Sequence, residues 1–132
     1  MNAKNFLVSG IVGGIVNFLL GWLFYDIVFA AQFPVKEGAV MNMMMIALGS
    51  LVASLFVAYI FLKWANITNW KTALKAGAVI GLFLGLYWNF YQNAFNATAN
   101  INWQTLCLDT VLTIVMTAIT GAVIAIVCDK MK

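Results

Sequence analysis

The chain has 132 residues, of which 64% are hydrophobic and 8% are charged, with a formal net charge of +3 and a mean hydropathy of +0.98. Because a soluble domain is usually about 45–50% apolar and about 25% charged, this composition predicts an integral membrane protein. The sequence contains no His, which excludes a Ser-His-Asp triad, a haem–His site and a HExxH zinc site, so we expect a non-enzymatic protein without a cofactor or a metal site.

Four apolar segments are long enough to cross a bilayer, since a hydrocarbon core about 30 Å thick needs about 20 residues at about 1.5 Å each. These predicted spans run over about residues 6–29, 40–62, 73–95 and 105–127. The links between them are short and leave no stretch for a soluble domain. The sequence therefore predicts an all-α fold, with residues 1–132 forming a single transmembrane domain that is a four-helix bundle.

The positions of the lysines predict the orientation of this bundle. Six of the seven cationic residues lie before the first span, around the second link or after the fourth span: Lys4, Lys63, Lys71, Lys75, Lys130 and Lys132. By the positive-inside rule that side faces the cytoplasm, so both termini are expected inside. Six lysines and Asp129 give +5 inside, whereas Lys36, Asp26, Glu37 and Asp109 give −2 outside. The basic balance therefore reflects orientation and does not indicate a nucleic-acid partner.

Small residues at helical spacing mark one smooth face on the first span and another on the third. These faces contain the glycines Gly10, Gly14, Gly21, Gly77, Gly81 and Gly85. Small residues allow transmembrane helices to approach closely, so we expect the two faces to cross each other. The contact could lie within one chain or between copies of a homo-oligomer, or the faces could dock on a larger membrane complex.

Polar side chains gather in the predicted outer half of the bundle, and all four spans contribute to them. The candidate ligand-binding residues are Tyr25, Asp26, Asn42, Asn89, Gln92, Asn93 and Asp109. An ionisable group inside a span costs about 2.5–3.5 kcal/mol on insertion scales and marks a functional site by default. Asp109 lies in the first turn of the predicted fourth span, where the helix dipole favours an anion, whereas Asp26 lies at the disfavoured end of the first span. Of the two carboxylates, Asp26 is therefore the stronger candidate for a functional role.

Two interpretations of this polar layer stay open. It could form an outward-facing pocket that binds, or helps to pass, a small polar or cationic solute, with Asn17 and Thr113 as relay residues. Alternatively, it could be a hydrogen-bond network that fixes the register of the helices in an accessory subunit. The threonine stripe of the fourth span, which includes Thr113, Thr117 and Thr120, is equally consistent with hydroxyls that bond back to carbonyls of their own helix.

The methionines at the start of the second span admit two interpretations as well. They are Met41, Met43, Met44 and Met45. Thioethers suit Cu(I), but methionine is also a flexible filler of apolar packing, and packing is the favoured interpretation.

Residues 17–25, Asn-Phe-Leu-Leu-Gly-Trp-Leu-Phe-Tyr, resemble an uncharacterised family of small bacterial membrane proteins. Members of that family have a Gly-Trp-x-x-Tyr pattern in the first of about four spans. The resemblance implies a four-span fold and no particular activity. It departs from the family pattern after the tyrosine, because this chain has Asp26 there and its Pro34 comes later. Many asparagines and a complete lack of arginine are typical of an AT-rich bacterial genome, so the expected location is the inner, cytoplasmic membrane.

Overall fold

The computed structural model describes residues 3–28, 43–67, 69–94 and 103–131. Within these ranges all regular structure is helical and there is no strand, which confirms the predicted all-α class. Helix α1 is Ala3–Gly21 and continues as a π-helical segment, Trp22–Val28. Helix α2 is Met43–Tyr59 and continues as a second π-helical segment, Ile60–Trp64. Helices α3 and α4 are Trp70–Ala94 and Trp103–Lys130.

Each of the four helices is long and apolar enough to cross a membrane. The segments that meet this criterion are Ala3–Tyr25, Met44–Trp64, Trp70–Tyr91 and Trp103–Lys130, and their most apolar stretches have mean hydropathies of 2.0, 2.3, 1.3 and 2.5. Among the described residues, the predicted four helices of sufficient length and hydropathy are thus confirmed. Helices α3 and α4 begin three and two residues earlier than predicted because Trp70 and Trp103 are already helical, and α1 begins three residues earlier, at Ala3.

Helix α4 occupies the centre of the bundle. It packs along α3 on one side and α1 on the other, and α1 pairs in turn with α2. In its most apolar stretch 44% of α4 is buried inside the protein, compared with 22–28% for the other three helices. The three outer helices therefore present most of their surface to the surroundings, and α4 supplies the contacts that join α3 to the α1–α2 pair.

The apolar core lies at one end of the bundle, where α2 ends, α3 begins and α4 ends. Phe61 and Ile124 are its largest fully buried side chains. They pack with smaller residues of α2, α3 and α4, namely Val57, Ala58, Ala73, Ala125 and Cys128. Gly121 allows the Phe61 ring to lie against α4, since a Cβ there would be only 3.0 Å from that ring. Apolar packing thus closes the end of the bundle that carries most of the lysines.

The glycine face of α3 packs against α4 of the same chain. A Cβ at Gly77 would lie 2.6 Å from the Thr117 carbonyl oxygen, and a Cβ at Gly81 would lie 2.8 Å from the Thr113 carbonyl oxygen. At Gly85 the nearest atom, the Thr110 Cα, is 3.3 Å away. The two backbones therefore approach each other along about two helical turns, which side chains at these positions would prevent.

The glycines of α1 pack on different neighbours. Gly10 and Gly14 lie against Leu55 and Leu51 of α2, and Gly21 faces Met116 of α4. The predicted crossing of the α1 and α3 glycine faces is therefore wrong. The physical reason is that α4 lies between α1 and α3. The α3 glycines therefore pack on Thr113, Thr117 and Ala118 of α4. A fourth glycine of α1, Gly13, was not among the predicted packing residues, yet it is buried where α1 meets both α2 and α4.

Candidate functional site

Three helices meet at the carboxylate of Asp109. The Tyr25 hydroxyl donates a hydrogen bond of 2.5 Å to Asp109 Oδ1. From the other side, the Asn89 amide nitrogen donates a hydrogen bond of 2.6 Å to Asp109 Oδ2. Each carboxylate oxygen thus accepts one bond, one from the π-helical end of α1 and one from α3. We call Tyr25, Asn89, Asp109, Thr110 and Thr113 the Asp109 cluster.

The π-helical segment at the end of α1 brings Tyr25 into this cluster. A π-helical turn contains about one residue more than an α-helical turn. It therefore changes the direction in which the following side chains point. In Trp22–Val28 the side chains of Trp22, Ile27 and Val28 are exposed, while Tyr25 is half-buried against α4. Such segments occur frequently at functional sites. The hydropathy pattern carries no sign of this local change in helix type.

Gly85 sets the distance at which Asn89 reaches the carboxylate. Asn89 lies one turn after Gly85 on the face of α3 that contacts α4, and its side chain is only 8% exposed. Its amide nitrogen also donates to the Gly85 carbonyl oxygen at 2.8 Å and lies 3.4 Å from the Thr110 hydroxyl. The amide is thus held both by its own helix and by α4, which fixes the position of its donor.

The threonines of the cluster bond to their own helix. The Thr110 hydroxyl donates to the Leu106 carbonyl oxygen at 2.9 Å, and the Thr113 hydroxyl donates to the Asp109 carbonyl oxygen at 2.8 Å. Both bonds follow the pattern expected for threonine in a membrane helix. Thr113 also lies next to the Tyr25 hydroxyl. The relay role of Thr113 stays a prediction. While the Thr113 hydroxyl donates to the Asp109 carbonyl oxygen, it can only accept a further hydrogen bond.

Asp109 is stabilised by these neutral donors rather than by the end of its helix. Because α4 begins at Trp103, Asp109 lies beyond the first turn, so the predicted first-turn position is wrong. The dipole effect falls off within that turn. Among the residues that the structure describes, Asp109 has no cationic partner, since Lys4, Lys63, Lys71, Lys75 and Lys130 lie at the opposite end of the helices. Within the described residues the Asp109 carboxylate is thus held by neutral hydrogen-bond donors alone.

Several predicted site residues lie outside the described part of the chain. They are Asn42 and the side chains of Asp26, Gln92 and Asn93. Their place in the site, including the special weight given to Asp26, stays a prediction. Of the predicted ligand-binding set, the structure brings together Tyr25, Asn89 and Asp109.

Asn17 lies apart from the Asp109 cluster, in the middle of the bundle. It lines a small cavity together with Ser54, Thr117 and Thr120. Thr117 is eight residues after Asp109 on α4, so this cavity lies about 12 Å further along the helix axis. Two polar clusters therefore follow each other along α4, and the second one includes Ser54, which was not among the predicted site residues.

Of the four methionines that raised the copper alternative, the structure describes the side chains of two. The side chains of Met44 and Met45 are 72% and 62% exposed on the surface of α2. Met41 and the side chain of Met43 lie outside the described residues.

Comparison of the chain with protein-family models, with curated proteins and with solved structures finds no match. The resemblance of residues 17–25 to a family of small bacterial membrane proteins therefore stays an expectation. The Asp109 cluster is the feature of this molecule from which a function can be inferred.

Proposed function

We propose that this chain is a non-enzymatic, multi-pass protein of a bacterial inner membrane, and that its Asp109 cluster binds a small cationic or polar solute from the outer side. The observation that carries this proposal is the environment of the Asp109 carboxylate. Both of its oxygens are held by neutral donors from other helices, and it has no cationic partner in the described part of the chain.

The carboxylate of Asp109 favours a cation over a neutral ligand. An aspartate within a membrane helix costs about 2.5–3.5 kcal/mol on insertion scales. Two hydrogen bonds reduce that cost but leave the net charge in place. A small cation would supply the missing charge, and the Tyr25 hydroxyl and the Asn89 amide oxygen could supply further neutral oxygen ligands beside the carboxylate.

The distribution of charge supports binding from the outside. The described lysines lie at the end of the bundle that carries the apolar core, and the Asp109 cluster lies towards the other end. By the positive-inside rule the lysine end faces the cytoplasm, with both termini inside. The cluster then lies in the outer half of the membrane, where a solute can reach it without passing the buried Phe61 and Ile124.

The alternative is that the cluster only fixes helix register in an accessory subunit of a larger complex. Hydrogen bonds between helices do hold membrane bundles together, so this interpretation needs no solute. The glycine faces, however, are filled by helices of the same chain. A docking surface for a larger complex, or for a second copy in a homo-oligomer, would therefore lie elsewhere on the bundle.

The Asp109→Asn variant tests the proposal. Asparagine has nearly the same size and can still accept a hydrogen bond from Tyr25, so the bundle should fold. We expect proteoliposomes with the wild-type protein to take up, or the detergent-solubilised protein to bind, one of Na⁺, K⁺, NH₄⁺ or H⁺, and the variant to lose most of this activity. Asp129→Asn is the matched control, because it makes the same change in charge at an exposed position near the other end of α4. Binding or flux that is equal in all three proteins would remove Asp109 from the function.

A further inference from the structure

The small cavity in the middle of the bundle is lined by polar side chains from three helices. Asn17 comes from α1, Ser54 from α2, and Thr117 and Thr120 come from α4, while apolar side chains of α2 and α3 complete the wall. Its volume is about 30 Å³. That is above the minimum of about 10–15 Å³ needed to hold one water molecule. The cavity is too small for a hydrated ion or an organic solute.

Two of the hydroxyls at this cavity have no hydrogen-bond partner among the residues that the structure describes. Ser54 is 0% exposed and Thr120 is 2% exposed, and neither hydroxyl oxygen is hydrogen-bonded to another atom of the described residues. This behaviour differs from that of Ser9, Thr110 and Thr113, whose hydroxyls all donate to the carbonyl four residues earlier in their own helix. The usual local partner of a helical hydroxyl is therefore not used at Ser54 and Thr120.

Gly13 explains how the Ser54 hydroxyl comes to lie between the helices. A Cβ at Gly13 would collide with Ser54 Oγ and would lie 2.9 Å from a side-chain carbon of Ile124. The bare backbone of α1 thus makes room for the hydroxyl in the contact between α1, α2 and α4. A buried hydroxyl without a partner costs about 1–3 kcal/mol, so two of them beside one cavity call for a ligand that bonds to both.

We propose that this cavity is a binding site for one water molecule, which hydrogen-bonds to Ser54 and Thr120 and is completed by Asn17 or Thr117. A buried water typically makes about three hydrogen bonds, and hydroxyl and amide groups can donate to it as well as accept from it. A bare cation fits less well, because the lining carries no charge and an unpaired ion is costly to bury. This site is independent of the proposed function at Asp109. The bound water would join α1, α2 and α4 at a level between the Asp109 cluster and the apolar core.

The sign of a stability change distinguishes a hydrated cavity from a dry one. Thr120→Val keeps the shape of the side chain and removes only the hydroxyl. In a dry cavity this change removes an unsatisfied polar group, so the melting temperature in detergent should stay the same or rise. With a bound water the change takes away one of its partners, so we expect the melting temperature to fall by about 3 °C or more. Thr72→Val, at an exposed position of α3, is the control and should show no fall.

Direct detection of the water completes the test and does not depend on a variant that folds. In the wild-type protein in micelles, we expect NMR cross-relaxation from a long-lived water to the methyl groups of Thr117 and Thr120. Absence of this signal, or a Thr120→Val melting temperature equal to or above that of the wild type, would overturn the proposal. A wild-type melting temperature that rises with Na⁺ but not with choline, and does so only when Thr120 is present, would overturn it in favour of a cation. Failure of the Asp109→Asn flux experiment would leave these results unchanged.

Discussion

The Tyr25 hydroxyl and Asp109 Oδ1 are 2.5 Å apart, and this hydrogen bond ties the end of the first helix to the second turn of the fourth. The opposite end of the bundle is held by different forces, because Phe61 and Ile124 are fully buried there among apolar side chains. One end of the molecule thus depends on hydrogen bonds to a carboxylate and the other on close packing. Substitutions at the two ends should therefore differ in their effects.

Tyr25→Phe should weaken the end of the bundle that contains Asp109 without changing its shape. The variant keeps the ring and loses only the donor to Asp109. Hydrogen bonds between membrane helices contribute about 0.6 kcal/mol on average and up to about 1.7 kcal/mol, and a bond to a carboxylate belongs near the upper limit. We expect the free energy of unfolding, measured by titration with SDS in mixed micelles, to fall by about 1.5 kcal/mol. Tyr87→Phe is the control, since that side chain is 65% exposed. An equal loss in both variants would contradict this role of the hydroxyl.

Asn89→Leu should be costly chiefly because it leaves Asp109 Oδ2 without its donor. An unsatisfied charged acceptor costs more than the hydrogen bond itself contributes. We therefore expect the loss in free energy of unfolding to be about 2 kcal/mol in the wild-type background and clearly smaller when Asp109 is replaced by leucine as well. A double-mutant cycle measures this difference. Effects that add to within about 0.5 kcal/mol would show that the amide and the carboxylate are not coupled.

Gly81→Ala should separate α3 from α4. Its Cβ would lie 2.8 Å from the Thr113 carbonyl oxygen and 2.9 Å from the Ile114 Cα, and these backbone atoms can move only if the helices move apart. We expect a loss of about 2 kcal/mol in the free energy of unfolding. Gly49→Ala is the matched control, because a Cβ there meets no atom within 4 Å and alanine is the better helix former. That variant should be as stable as the wild type or more stable by up to about 1 kcal/mol.

The orientation predicts which fusions of a reporter enzyme are active. An alkaline phosphatase, which folds only outside the cytoplasm, should be active when fused after Asn100 in the third link and inactive when fused after Lys132. A green fluorescent protein should show the reverse pattern, because it becomes fluorescent inside the cell. Phosphatase activity at the second position, or fluorescence at the first, would reverse the orientation and place the Asp109 cluster in the inner half of the membrane.

The number of spans could be predicted from the sequence because length and hydropathy alone determine whether a helix can cross a bilayer. Tyr25, Asn89 and Asp109 could also be placed together, since each falls at the outer end of a predicted span. The π-helical turn that aims Tyr25 could not be predicted, because hydrophobic periodicity does not register one extra residue in a single turn. The sequence therefore predicted a layer of polar residues at this site, but it did not predict the hydrogen bonds between them.

The pairing of the glycine faces depends on information that a single helix does not contain. Gly81 and Gly14 have similar sequence surroundings, yet one lies on α4 and the other on α2. Which helices become neighbours depends on how all the faces fit at once, and α4 fits between α1 and α3 although it has only one glycine, Gly121. The same limit explains Gly13 and Ser54, whose importance comes from a contact between two helices.

The central position of α4 has a consequence for biosynthesis. Ribosomes deliver helices to the membrane in chain order, so α1 and α2 can pair through Gly10 and Gly14 as soon as both have emerged. Helix α3 has no comparable partner at that stage, because its glycine face is shaped for the helix that is made last. Until α4 has been made, the glycine face of α3 lacks the surface on which it packs, and Asn89 lacks the Asp109 carboxylate. A nascent chain that stalls before residue 103 therefore has no α4 to fill the groove at Gly77 and Gly81.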